Sequence, residues 1–189
     1  MNICVYGSAS NTIDKAYILA GEQLGKLMAK RGHKLVYGAG ALGMMGAVSR
    51  GIHSENGYVL GVVPHFFTNE EVLYLNCDKL IRTETMRQRK QIMEDNADAF
   101  IVTPGGIGTF EEFFEILTLK QLNRHNKPIV IFNINGFYDS MISMLDEAIK
   151  GNFINTECKK MYPAFKEPEE VLDYIENYKK MDLSKMKVK

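Results

Sequence analysis

Three times in this chain a short apolar run breaks off into small residues and resumes at helical spacing. Asn2 to Tyr6 runs into Gly7-Ser8-Ala9-Ser10, and Lys34 to Tyr37 into Gly38-Ala39-Gly40-Ala41-Leu42-Gly43. Asp98 to Thr103 runs into Pro104-Gly105-Gly106-Ile107-Gly108. Each is the pattern of a strand delivered to a tight turn and then to the first turn of a helix. The strands read as continuous apolar runs, not alternating ones, so both their faces must be covered. That predicts a doubly wound α/β fold, a mostly parallel sheet with helices on both faces. In such a sheet all three turns lie at the carboxyl edge of the strands, where ligands collect.

The other segments fit this repeat. A helix is expected from about Asp14, with Tyr17, Ala20, Leu24, Leu27 and Met28 at helical spacing and a stop at Gly32. A second should end near Gly57, before a strand from Tyr58 to Val63 that stops at Pro64. Thr85 and Gln88 have the capping-box spacing and predict a helix start. Pro128 to Phe132 reads as a strand, Tyr138 to Lys150 and Glu167 to Lys179 as helices. His65 to Leu80 carries little pattern: Val72 to Leu75 is a candidate short strand and the rest a loop over the site. One domain over residues 1–180 and a solvated, lysine-bearing tail over 181–189 are expected.

Composition removes several function classes. Lys plus Arg and Asp plus Glu are 23 each, so no global basic field draws the chain to nucleic acid or an acidic membrane. No apolar stretch approaches the roughly 18 residues of a spanning helix, and no leader pattern opens the chain. Cys4, Cys77 and Cys158 are odd in number, widely spaced and without a CxxC pair, which fits reduced thiols in a cytoplasmic protein. His33, His53, His65 and His125 show no metal spacing.

Any anion must therefore be held by local geometry. The Gly105-Gly106-Ile107-Gly108-Thr109 turn opens a helix, and backbone N–H groups at a helix start suit a phosphate. Gly38 to Gly43 matches G-x-G-x-x-G, but the position about 20 residues on, Val62-Val63-Pro64, has no carboxylate to bind a ribose. These glycines read as backbone packing around a ligand pocket. Met86, Arg89, Lys90, Met93 and Ala97 share one helix face, with Arg87 and Glu94 off it and solvated. A guanidinium in such a stripe needs a carboxylate or phosphate partner. Glu112 shares the apolar face of the next helix with Gly108, Ile116 and Leu119, whereas Glu111 lines up with Glu115 and Thr118. A carboxylate on the buried side must be paired or used, which singles out Glu112.

Pro104 to Glu112 fits a PGGxGTxxE signature and Met86 to Lys90 its companion M-x-x-R-K. Together, they resemble the Lonely guy (LOG) family of cytokinin riboside 5′-monophosphate phosphoribohydrolases, and the resemblance extends over nearly the whole chain. It implies a Rossmann-like fold without a dinucleotide. It implies hydrolysis of the N-glycosidic bond of an adenine-type nucleoside 5′-monophosphate, with no metal or redox cofactor. It also implies a homodimer or larger homo-oligomer, with the site near the subunit interface. The catalytic pair would be Arg89 and Glu112. Lys90, Gly106, Ile107, Gly108, Thr109, Glu111 and Thr118 would line the substrate site, joined by Gly7, Ser8, Gly40, Met86 and Gly105 from the same sheet edge. The segment from His65 to Leu80 does not match the plant pattern, and the second turn has Ala39 where a glycine is often seen.

The competing expectation is a non-catalytic carrier of a nucleotide or phosphorylated cofactor. A decarboxylase, a label also attached to this family, is disfavoured because the sequence offers no argued Schiff-base lysine with a phosphate cup.

Overall fold

The structure, a computed structural model, describes residues 1–186. Its seven strands are β1 (Asn2–Tyr6), β2 (Lys34–Tyr37), β3 (Val59–Pro64), β4 (Lys79–Thr83), β5 (Ala99–Val102), β6 (Ile129–Phe132) and β7 (Ala164–Phe165). Its α-helices are α1 (Lys15–Lys30), α2 (Gly43–Ser54), α3 (Met86–Asn96), α4 (Ile107–Gln121), α5 (Asp139–Lys150) and α6 (Pro168–Glu176). The sheet order is β4-β3-β2-β1-β5-β6-β7, and every pairing is parallel.

Two apolar layers cover the sheet. Leu24 and Met28 of α1, Val48 and Ile52 of α2, and Val171 and Leu172 of α6 pack on one face with Ile3, Leu35 and Ile101. Met93 of α3, Phe113 and Ile116 of α4, and Leu145 of α5 pack on the other with Cys4, Phe100 and Ile131. The chain reverses direction across the sheet between β1 and β5, whose register pairs Tyr6 with Val102. The turns that leave these two strands therefore face each other, which is the crevice where a doubly wound sheet binds its ligand.

Helix starts follow local chemistry. Asp14 caps α1 by accepting from Ala16 N, and Thr85 and Gln88 form the reciprocal capping box at α3. This second cap fixes where α3 begins, and hence which side its Arg89 occupies.

The expected doubly wound, mostly parallel sheet is found, with all six strand pairings parallel. Three other expectations are corrected. Val72 to Leu75 is not a strand: a single helical turn at Glu70–Val72 leads into one antiparallel bridge, Leu73 to Gly40. β4 escaped notice because it is an edge strand carrying Lys79 and Arg82, charges that blunt a free edge and break the apolar run. The tail is not wholly solvated, since Leu183 is buried and Asn126 Nδ2 donates to Met181 O. Residues 187–189 of that tail lie outside the described residues.

Candidate active site

The turn after β5 is fixed by hydrogen bonds that leave its glycines free. Thr103 donates twice to Tyr6 O, from N and from Oγ1, each at 2.8 Å. The Tyr138 hydroxyl donates to Thr103 O at 2.7 Å, and Ser8 N donates to Pro104 O at 3.0 Å. The last bond ties the first small-residue turn to the third. Gly106 and Gly108 have open space where a Cβ would stand, and both line a cavity of about 420 Å³ at the carboxyl edge of the sheet.

Arg89 enters this cavity from α3 and is held at three points. Its Nε donates to Val62 O at 3.2 Å and its Nη1 donates to Glu112 Oε1 at 2.8 Å. The third point is a missing side chain: a Cβ on Gly38 would collide with Arg89 Nη2. The first glycine of the G-x-G-x-x-G pattern is therefore spent on the guanidinium, not on a dinucleotide. Arg89 is 8% exposed and Glu112 9%, while Arg87 and Glu111 face solvent. The helix-face count that separated these neighbours holds in three dimensions.

Burial pushes the Glu112 carboxyl up, and the facing Arg89 pulls it back only in part, so its pKa lies above the ordinary carboxylate value. A buried carboxylate with a raised pKa beside a fixed cation is suited to act as a general base.

Gly7, Ser8, Gly40, Met86, Thr109 and Glu111 also line the cavity, as expected of them. Four other candidates do not. Gly105 packs beneath the turn, close to Thr109 and Ser8 N, and borders a smaller hollow with Tyr17 and Phe137. Ile107 is 84% exposed on the outer side of the α4 start. The Lys90 ammonium is engaged by Glu111 and, at 2.7 Å, by Glu115. Thr118 is exposed on α4 beside a separate groove between Leu117 and Tyr162. Glu94, expected in solvent, is half-buried. Burial and the nearby Glu115 raise its pKa to about 7 against the pull of Lys90.

Sequence reasoning missed the apolar half of the cavity. Val63, Pro64, Phe67, Val72, Leu73 and Met45 line the cavity together with the glycine turn. The available signals were the apolar runs Phe66-Phe67 and Val72-Leu73-Tyr74-Leu75, set in a stretch with no sustained period. A loop over the site was expected there, but not which residues it turns inward.

Comparison with known proteins shows the family and the fold. Residues 45–175 match the family model described as "Possible lysine decarboxylase". A relative from Arabidopsis thaliana, the cytokinin riboside 5′-monophosphate phosphoribohydrolase LOG2, is 36% identical over 176 residues, covering 93% of this chain and 83% of its own. The probable phosphoribohydrolase LOGL5 of Oryza sativa subsp. japonica is also 36% identical, over 93% of this chain and 72% of its own. Among solved structures, TM1055 superposes with a TM-score of 0.71 at 25% identity, covering 94% of this chain and 99% of that one. The molybdenum cofactor carrier protein of Chlamydomonas reinhardtii shares the fold, with a TM-score of 0.69 at 20% identity over 93% and 94% of the two chains. With both signature motifs intact and over a third of residues shared along nearly its whole length, this chain belongs to the Lonely guy (LOG) family.

Proposed function

We propose that this protein hydrolyses the N-glycosidic bond of adenine-type nucleoside 5′-monophosphates, releasing free base and ribose 5-phosphate. The observation that carries the reading is the buried Arg89–Glu112 pair at 2.8 Å, set in the wall of a cavity whose next element is an open glycine turn. The relatives' printed names describe this reaction for those proteins.

In this reading the 5′-phosphate sits on the N-terminus of α4, against N–H groups that have no intrahelical acceptor and the Thr109 hydroxyl. The base then extends toward Val63, Phe67 and Leu73, and C1′ falls between, beside Glu112. Breaking C1′–N9 leaves its electron pair on the base and positive charge on the ribosyl ring. The Glu112 carboxylate stabilises that charge and takes a proton from the attacking water, whose oxygen bonds to C1′. Arg89 holds Glu112 in place and supports negative charge on the departing base. Lys90 acts from the second rank, steadying Glu111.

The supporting experiment is a panel of nucleoside 5′-monophosphates, plain and with apolar N6 substituents, scored for released base by chromatography. Release from adenine nucleotides supports the reading, and binding without release favours a carrier. A pyridoxal-dependent decarboxylase finds no support in the residues: among the described ones no lysine lines the cavity, and Lys90 is occupied by two carboxylates.

The protein works, in this account, as a cytoplasmic homodimer or larger homo-oligomer. No helix among the described residues is long and apolar enough to cross a membrane. Thr118, on the outer face of α4, would serve a substrate site only where two copies meet, and light scattering of the purified protein tests that assembly.

A further inference from the structure

Three of the cavity's apolar lining residues, Phe67, Val72 and Leu73, come from the segment between β3 and β4. Its inner end is held by two backbone bonds to the second glycine turn, Ala41 N to Val72 O at 2.9 Å and Tyr74 N to Ala39 O at 2.8 Å. Ala39 presents that carbonyl from a left-handed conformation, φ 58°, which an alanine adopts at some cost. Just beyond, the Tyr74 side chain leaves the cavity and reaches α2. Its hydroxyl lies 2.7 Å from His53 Nδ1, and the two rings lean together with centroids 5.4 Å apart. His53 Nε2 in turn lies 3.1 Å from Asp78 Oδ2, which also accepts from Val59 N at 2.7 Å.

The direction of this relay follows from its last member. Burial works to raise the Asp78 carboxyl, but the Val59 N–H and His53 outweigh it and hold it below the usual range. An ionised Asp78 only accepts, so in a neutral imidazole Nε2 carries the proton and Nδ1 is left to accept from the Tyr74 hydroxyl. Each member thus has one role, and together they connect the segment to α2 and the start of β3. Cys77 adds a second hold by donating from Sγ to Tyr74 O at 3.1 Å.

We propose that Tyr74, His53 and Asp78 are positioning residues that set the apolar wall of the base pocket, and so decide how large a base substituent the enzyme accepts. None of the three lines the cavity; they act through Val72 and Leu73, which do. The proposal rests on the reading of this cavity as a nucleotide site.

The test uses the full-length protein and Tyr74→Phe, which keeps the ring and removes only the hydroxyl, beside His53→Ala and the double variant. Three quantities are measured: amide hydrogen exchange, calorimetric Kd for AMP and for an AMP with an apolar N6 substituent, and kcat for both. Each single variant should speed exchange at Ala41 and Tyr74, the two amides that donate across the bridge, about five- to tenfold, the size one neutral hydrogen bond carries, without changing β1 or β5. Kd for the N6-substituted nucleotide should weaken by a similar factor, that for AMP by less than twofold, and kcat should stay within twofold. The double variant should be no worse than His53→Ala, because both changes cut one tether.

Unchanged exchange overturns the tether. Faster exchange with both Kd values unchanged, or equal losses for both nucleotides, overturns its role in selectivity. A wild type that binds neither nucleotide overturns the proposal and the nucleotide reading together. A wild type that binds but does not hydrolyse them contradicts only the hydrolytic reading, and the exchange and Kd results still decide this one.

Discussion

Arg89 and Glu112 meet at 2.8 Å although they lie 23 positions apart with a strand between, and both are nearly sealed from solvent. α3 reaches the cavity from one side of β5 in sequence and α4 from the other. The contact forms because both helices pack on the same face of the sheet. A buried ion pair of this kind contributes little net stability, but removing one partner strands the other.

Arg89→Ala is therefore expected to lose at least about 10²-fold in kcat/KM and about 3 kcal/mol of stability at pH 7. The stability loss should shrink as pH falls, because the stranded Glu112 can then take up a proton. Arg87→Ala, on the solvent side of the same helix, should leave activity within twofold and stability within about 0.5 kcal/mol. Equal effects from the two variants in parallel assays and urea titrations would remove the helix-face argument.

Gly38→Ala tests the room made for the guanidinium. The added methyl collides with Arg89 Nη2 and should displace it, lowering kcat/KM by roughly 10²-fold through misplacement alone. Gly40→Ala, where the nearest neighbours are the flexible Met45 atoms, should cost much less. Steady-state kinetics of the two, with circular dichroism to confirm folding, separates them.

The pH dependence of Glu112 runs against the usual carboxylate pattern. Its pKa is raised in the folded state, so the acid limb of kcat/KM should lie above the value near 4.3 of a free glutamate. The same shift means the folded protein binds this proton more tightly than the unfolded chain does. Its contribution to stability is thus present at low pH and lost as pH rises through the folded value. An acid limb at or below the free-carboxyl value would contradict the environment described for Glu112.

Lys120 supplies a stability prediction away from the site. It is fully buried on α4, donates to Lys127 O at 2.9 Å and lies 4.8 Å from the Tyr178 ring centroid. Burial lowers its pKa to about 8. The unfolded chain then holds more protons than the folded one between about 8 and the ordinary lysine value. Stability from this group accordingly rises with pH across that window, by about 3 kcal/mol at most. Lys120→Met should flatten that rise in the difference between variant and wild-type unfolding curves. Parallel curves would place the charge in a better-solvated setting than the one seen.

What could be read from the sequence divides along physical lines. Elements with buried faces announced themselves: the capping box at Thr85, the glycine turns and the apolar strands needed no tertiary information. Glu112 and Glu111 could be told apart because helical periodicity fixes which of two neighbours faces inward. β4 could not be read, because an edge strand with Lys79 and Arg82 is shaped by exposure and not by burial. The Val72-Leu73 wall was equally hidden, since its conformation is set by distant partners such as Ala39 and His53. Lys90 was read as a substrate contact from its motif; its engagement with Glu115 depends on how α3 and α4 pack, which one helix face does not specify.

The central claim is that Glu112 does the chemistry at this site. Glu112→Gln keeps the shape and a hydrogen-bond acceptor for Arg89 but removes the charge and the base. Single-turnover release of adenine from AMP, measured beside AMP binding by calorimetry, tests it directly. The variant should bind AMP within about threefold of wild type and release adenine about 10²- to 10⁴-fold more slowly. Near-normal release with binding intact would contradict the assignment.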